Sequence, residues 1–298
     1  MKKFFYLLLI LIFCTGCGNE ETTENNPPAV EVEEQKNPAE QLKDEMVQSG
    51  KIVIAADDFS NLQLTEIDKP VYDIYGVWDR QEKNLPTALP DLTPYESEKV
   101  VYLTFDDGPD DKITPQILDI LKQEGIHATF YVLGVMVEKN PEVLKRIFTE
   151  GHAIGSHSYN HVYKELYASP WTFAEQFIKT DELIMAYVGV RPLIIRAPGG
   201  TVGAFDENYW SMIKTLGYVE HDWNTSVEDA TAQQPDAAAE VNNVIRQLGD
   251  NPMQSVILLM HAKDGKEETV KALPELIKLF RDRGYKFGVV TPMTPQPW

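Results

Sequence analysis

The chain has 298 residues, 43% of them hydrophobic and 24% charged, enough for one large globular domain and a smaller attachment. Its net charge of −19 and pI near 4.7 exclude the electrostatic footprint of a nucleic-acid-binding protein. The only two cysteines, Cys14 and Cys17, lie near the start, so the folded part carries neither a disulfide nor a thiolate metal site.

Residues 1–17 read as an export segment. Lys2 and Lys3 precede an apolar run, Phe4–Phe13, that is too short to span a bilayer. Thr15-Gly16-Cys17 follows. It resembles a bacterial lipoprotein signal, which implies that Cys17 is lipidated and becomes the first mature residue, although Cys14 stands where that pattern favours leucine. An ordinary signal peptide cut nearby, or a retained anchor, is the alternative. Each reading places the folded part outside the cytoplasm, and the lipoprotein reading anchors it to the cell membrane.

Residues 18–50 are rich in Glu, Asn, Gln, Thr and Pro and nearly free of large apolar side chains. Such a stretch buries too little surface to offset its ordering entropy, so a disordered acidic tether is expected. Residues 51–98 are mixed. Lys51-Ile-Val-Ile-Ala has strand character, Val71–Trp78 alternates aromatics, and Leu85–Pro94 is punctuated by proline. A small separate module and a strap packed on the main domain both fit.

From residue 99 to 298 the pattern becomes regular. Strand Val100–Phe105 leads to a helix beginning at Thr114-Pro115, with Thr114 as cap, and ending at Gly125. Strand Ala128–Leu133 leads to helix Pro141–Glu150, and strand His152–Ser156 to helix Pro170–Tyr187. Strand Leu193–Ile195 leads to helix Asp206–Leu216, strand Tyr218–Asp222 to helix Pro235–Leu248, and strand Ser255–Met260 to helix Thr269–Arg283. Strand Tyr285–Val290 closes the set. Seven strands alternating with helices predict an α/β fold with a parallel sheet, either a small β/α barrel or an open doubly wound sheet.

The polar residues gather at one end of that pattern. Asp106 and Asp107 follow the first strand, His157 and His161 the third, Arg196 the fourth; Asp222 ends the fifth and His261 the sixth. All are C-terminal strand ends, where barrel enzymes place their active sites. Two imidazoles four residues apart, with a carboxylate, make a three-ligand N/O set that leaves a position open for water, as in a catalytic zinc site. Asp107 is the candidate carboxylate ligand. Asp106, pointing another way because neighbours on an extended chain diverge, is the candidate general base. The set suits hydrolysis of a carbonyl compound. His261 is then the candidate acid for an amine leaving group, with Asp222 to orient it and Arg196 to pair with Asp106. His127 and His152 read as structural, and His221 has no assigned role.

These motifs in this order resemble the polysaccharide deacetylases of carbohydrate esterase family four, the NodB-homology domain. Thr104-Phe-Asp-Asp-Gly108, His157-Ser-Tyr-Asn-His161 and Leu258-Leu-Met-His261 match three family motifs, Arg196-Ala-Pro-Gly-Gly200 is similar to a fourth, and Asp222-Trp223 matches the end of another. The resemblance covers about Val100 to Pro292 and implies a distorted seven-stranded barrel. It implies Asp106 as base, Asp107, His157 and His161 as metal ligands, and His261 as acid, with Arg196 and Asp222 as their orienting partners. It also implies Trp223 and Leu259 as pocket walls. Gly199 stands where the family often has an aromatic residue whose backbone N–H helps hold the oxyanion; the N–H is kept, but one wall of the pocket is expected to be missing. Val219 stands where an earlier acid often lies. The implied activity is metal-dependent removal of acetyl groups from N-acetylglucosamine in cell-wall glycan, with peptidoglycan the leading substrate and zinc the leading metal, ahead of cobalt, nickel or manganese. Poly-N-acetylglucosamine, chitin oligomers and O-acetylated glycans are the alternative substrates, and an inert wall-binding lipoprotein is the alternative class.

Overall fold

The structure is a computed structural model that describes residues 36–64, 66–95, 99–250 and 253–297. Cys17 and the export segment lie outside the described residues. Lys36–Trp298 form one compact unit. In chain order its first elements are α1 (Pro38–Gln48), β1 (Val53–Ile54), β2 (Val71–Asp73), α2 (Val77–Glu82), β3 (Val100–Asp106), α3 (Ile113–Glu124) and β4 (Thr129–Val132). Next come α4 (Gly134–Lys139), α5 (Pro141–Thr149), β5 (Ala153–Ser156), α6 (Tyr163–Leu166), α7 (Pro170–Val188), β6 (Arg191–Pro192) and β7 (Ile194–Ile195). The last are α8 (Glu207–Thr215), β8 (Val219–Glu220), β9 (Thr225–Ser226), α9 (Ala237–Leu248), β10 (Ser255–His261), α10 (Glu267–Asp282) and β11 (Lys286–Gly288).

All seven predicted strands are present, as β3, β4, β5, β7, β8, β10 and β11, and every pairing among them is parallel. The short β9 adds to them beside β10. The sheet runs β8-β7-β5-β4-β3-β10-β9, with β11 also on β3. It is a curled, incompletely closed barrel. Its end strands β8 and β9 are consecutive in the chain, so residues 221–224 bridge the gap between them.

Alternation along the central strand explains where the site forms. Val101, Leu103 and Phe105 face the helices and join the main apolar core, with Phe105 stacked on Phe130 at 5.2 Å. Burying each such side chain contributes roughly 1.5–3 kcal/mol. Val100 and Tyr102 belong instead to a second cluster with Tyr131, Ile194, Ile257 and Val290, the barrel interior. Thr104 and Asp106 continue that inward row toward the rim, because side chains alternate with a period of two. The same period gives β10 an inward row of Ile257, Leu259 and His261. The interior is thus apolar at its base and polar at its C-terminal mouth.

The helix cap after β3 differs from expectation. The Asp110 carboxylate, not Thr114, accepts the N–H groups of Ile113 and Thr114, both at 2.8 Å. Thr114 lies inside the first turn, and its hydroxyl donates to the Ala262 carbonyl at 3.0 Å, tying α3 to the end of β10.

The N-terminal third brings one correction and one choice between the two readings left open. The tether predicted through residue 50 is ordered from Pro38 to Gln48 as α1, capped by the Asn37 side chain. Composition misleads here because only two positions, Ala39 and Met46, need to be buried to hold the helix. Residues 51–98 are a strap rather than a separate module. β1 pairs with β2, and β2 pairs antiparallel with β6. Met46, Ile52 and Tyr72 enter the main core. The buried Asp73 carboxylate joins Arg80 of the strap to Arg191 of the barrel, and Arg191 also reaches Asp181 of α7 at 3.3 Å. Among the described residues no helix is long and apolar enough to cross a membrane.

Candidate active site

At the mouth of the barrel β3 ends with Asp106 and turns sharply. Asp107 has φ +71, and in the loop after β5 Ser158 and His161 have φ +78 and +59. These left-handed conformations are uncommon outside glycine and cluster at functional sites. Here they aim three side chains at one point. Asp107 Oδ1 lies 3.7 Å from His157 Nε2 and 3.6 Å from His161 Nε2. One ligand atom from each of the three residues falls within 4.8 Å of the others, as a metal-binding group requires.

The donor chemistry of these residues fits a divalent cation. Asp107 Oδ1 is buried and has no hydrogen-bond partner, an arrangement that is costly unless something else satisfies the oxygen. His157 Nδ1 is 2.8 Å from the Arg196 carbonyl and donates to it, which leaves Nε2 bare toward Asp107. Burial pushes the His157 pKa below the usual histidine value, against the pull of Asp106 and Asp107. The ring is therefore neutral, the form that binds metals. Burial alone would raise Asp107, but the surrounding His157, Lys263 and His261 outweigh it and bring its pKa to about 2. Its second oxygen accepts from Lys263 Nζ at 2.6 Å.

Asp106 is held separately. Arg196 Nη1 donates to Asp106 Oδ1 at 3.0 Å and to Thr104 Oγ1 at 2.7 Å, while Nε and Nη2 donate to the carbonyls of His221 and Asp222. The guanidinium lies 4.2 Å over the Tyr131 ring. Tyr131 fits there because Gly155, beside it on β5, has no side chain; a Cβ would stand 2.5 Å from the ring. Asp106 Oδ2 remains free of Arg196 and lies 3.7 Å from His157 Nε2.

The acid side corrects the sequence reading. Asp222 does not touch His261. Its carboxylate accepts the Thr201 N–H at 3.0 Å and the Thr201 hydroxyl at 2.5 Å, so it fastens the 196–201 loop. The carboxylate that pairs with His261 is Asp229. Its Oδ1 accepts the ring Nδ1–H at 2.8 Å and its Oδ2 the backbone N–H at 3.0 Å. Behind Asp229, the Thr269 hydroxyl bridges to the buried Glu240 carboxyl at 3.1 Å. Asp229 was visible in outline. Thr225-Ser-Val-Glu-Asp229 repeats, in short form, the strand-then-two-acids pattern of Val100–Asp107, but its two-residue strand gives no periodicity to read.

The remaining predicted residues lie on β10, on the bridge after β8 and on the 196–201 loop. Leu259 is buried on the inward row of β10, and half-buried Trp223 packs against the interior cluster. Gly199 has φ +79, and the wall expected to be missing above it is filled from another element. The Tyr163 hydroxyl would stand 2.8 Å from a Cβ at Gly199. Lys263 and Tyr163 were not foreseen. Beside Asp107 and His161 a cavity of about 470 Å³ opens between Lys112, Met136, Lys139 and Lys263.

A curled parallel barrel with an Asp-His-His cluster at its mouth, flanked by one carboxylate bound to arginine and one histidine bound to aspartate, is the layout of a metal-dependent hydrolase. The chain belongs to the polysaccharide deacetylase family. The family model "Polysaccharide deacetylase" matches residues 94–221. A peptidoglycan-N-acetylglucosamine deacetylase of Bacillus cereus is 30% identical over 207 residues, covering 69% of this chain and 93% of that protein. Another from the same organism is 34% identical over 202 residues, covering 67% and 70%. Among solved structures, a Streptococcus mutans CE4 esterase aligns with a TM-score of 0.62 and 31% identity, covering 72% of this chain and 95% of that one.

Proposed function

We propose that this protein removes the acetyl group from N-acetylglucosamine residues of peptidoglycan, releasing acetate and leaving a free amine on the glycan. The observation that carries the reading is the convergence of three bare ligand atoms, on Asp107, His157 and His161, between a base and an acid that are each fixed by their own partner. Held by these three residues, a divalent cation supplies Lewis acidity toward the amide carbonyl and its attacking water. One oxygen and two nitrogen donors suit zinc, with cobalt, nickel and manganese as lesser candidates.

The chain's own groups divide the proton work. Asp106 accepts the proton of the attacking water through Oδ2, since Arg196 occupies Oδ1. His261, charged through Asp229, gives a proton to the departing nitrogen. Water adds to the acyl carbon, the C–N bond breaks, and acetate and amine result. Leu259 and Trp223 wall the acetyl end of the cavity. The B. cereus relatives named as peptidoglycan deacetylases favour that glycan over the other substrates. The export segment and Cys17 support an enzyme anchored to the outer face of the cell membrane, next to its substrate.

The test is acetate release from peptidoglycan and from N-acetylglucosamine oligomers, by protein stripped of metal and then reloaded with zinc. Release that zinc restores on peptidoglycan is the expected result. Zinc-loaded protein that releases nothing from either glycan defeats the reading.

A further inference from the structure

Tyr163 is pinned beside the metal-ligand cluster with its hydroxyl unused. Its ring meets His161 edge-on at 5.3 Å. Behind it, at 5.9 Å, lies Tyr167. Tyr167 is fixed in turn: its hydroxyl donates to the Pro198 carbonyl at 2.7 Å, and its own carbonyl accepts from Tyr209. The ring is therefore set by packing, though the side chain is half open to solvent. Its hydroxyl hangs over Gly199, at a distance that any side chain there would violate. Among the described residues neither this hydroxyl nor the N–H of Gly199 has a hydrogen-bond partner. Two donors thus lie close together beside His161, one on a ring packed between His161 and Tyr167 and one on the backbone.

We propose that Tyr163 is a catalytic residue, whose phenol O–H donates a hydrogen bond to the acyl oxygen of the substrate beside the N–H of Gly199. The proposal rests on the amide hydrolysis proposed above. As the carbonyl carbon becomes tetrahedral, negative charge moves onto that oxygen, and a fixed neutral donor stabilises it more than it stabilises the ground state. A phenol has an ordinary pKa of about 10 and so keeps its proton at neutral pH. The bare Gly199 is the other half of the device: it opens the space in which a tyrosine from α6 reaches the oxygen.

The experiment compares zinc-loaded wild type with Tyr163→Phe, which keeps the ring and removes only the hydroxyl. Acetate release should show kcat lowered about 10- to 100-fold with KM nearly unchanged, in the range of a lost oxyanion donor. Calorimetric titration with acetate, whose carboxylate carries the same oxygen, should show about tenfold weaker binding in Tyr163→Phe. Unchanged kcat and unchanged acetate affinity overturn the proposal. So does a loss seen only in KM, and only when the ring itself is removed in Tyr163→Ala, since that makes Tyr163 a packing wall. If the wild type releases no acetate from any glycan, the function reading fails, and the acetate titration alone still decides the place of Tyr163.

Discussion

Asp229 grips His261 twice, at ring Nδ1 and at the backbone N–H, with 2.8 and 3.0 Å contacts from its two oxygens. One carboxylate thus fixes the position, tautomer and charge of the imidazole. Burial works against the imidazolium, but the hydrogen bond and charge of Asp229, with the charges of Asp106 and Asp107, outweigh it and raise the pKa. A general acid must be protonated to act, so activity falls as pH rises through that raised value. Asp229→Asn lowers it. The alkaline limb of the kcat profile should move to lower pH by about one unit, with kcat reduced about 10- to 100-fold at its optimum. Asp222→Asn should leave that limb in place. The raised pKa also links to stability. The contribution is complete below the unfolded value of about 6.5 and disappears as pH rises through the folded one.

Glu240 gives a second pH-dependent outcome. It is buried, its Oε2 has no partner, and burial together with the Asp229 charge pushes its pKa up to about 8. The folded state therefore holds a proton that the unfolded chain releases at about 4.3. Stability from this group is complete below that value and is lost as pH rises toward 8. Glu240→Gln removes the dependence. Melting temperatures measured from pH 5 to pH 8 should show the variant gaining on the wild type at every step. Parallel curves would show that Glu240 is already ionised at pH 5.

Metal capture should depend on all three cluster residues but unequally on their surroundings. His157→Ala and Asp107→Ala should abolish tight zinc binding in a calorimetric titration and remove acetate release, with the circular dichroism of the fold kept. Zinc at about a thousand times its Kd should raise wild-type stability by about 4 kcal/mol, and should not raise that of either variant. Arg196→Lys should weaken both partners at once. It removes guanidinium contacts from Asp106 and disturbs the Arg196 carbonyl that orients His157.

The strap should prove inseparable from the barrel. Asp73 is the shared partner of Arg80 and Arg191, and all three are fully buried. Removing one member of a buried ion cluster costs about 3–5 kcal/mol, because the others are left uncompensated. Asp73→Ala should lower the denaturant midpoint accordingly. A chain shortened to residue 99 should fail to unfold cooperatively, and a cooperative transition there would mean that the strap is dispensable.

The parts of this molecule that could be read from its sequence are those where local pattern and long-range placement coincide. β3 and β10 are seven residues long, and their terminal Asp106 and His261 had to emerge on one rim once the sheet was parallel. The ligands needed only their spacing and that rim. Asp229 was missed because β9 is two residues long, and only its pairing with β10 brings Asp229 to His261. Asp222 was the wrong partner for the same reason: it sits in the bridge between β8 and β9, where the chain changes direction. Tyr163 was invisible because its significance lies in an empty place 36 positions away, at Gly199. α1 was hidden by a mostly polar composition, since the helix buries only Ala39 and Met46.

The left-handed turns at Asp107, Ser158 and His161 have a further meaning for how the enzyme acquires its ion. Each such turn costs about 1–3 kcal/mol, and the packing of the barrel meets that cost when the chain folds. Nothing is left for the ion to organise, so capture need not be coupled to any refolding. The cradle is an architectural fixture, so a chelator should empty it, and another ion refill it, while the domain around it stays standing.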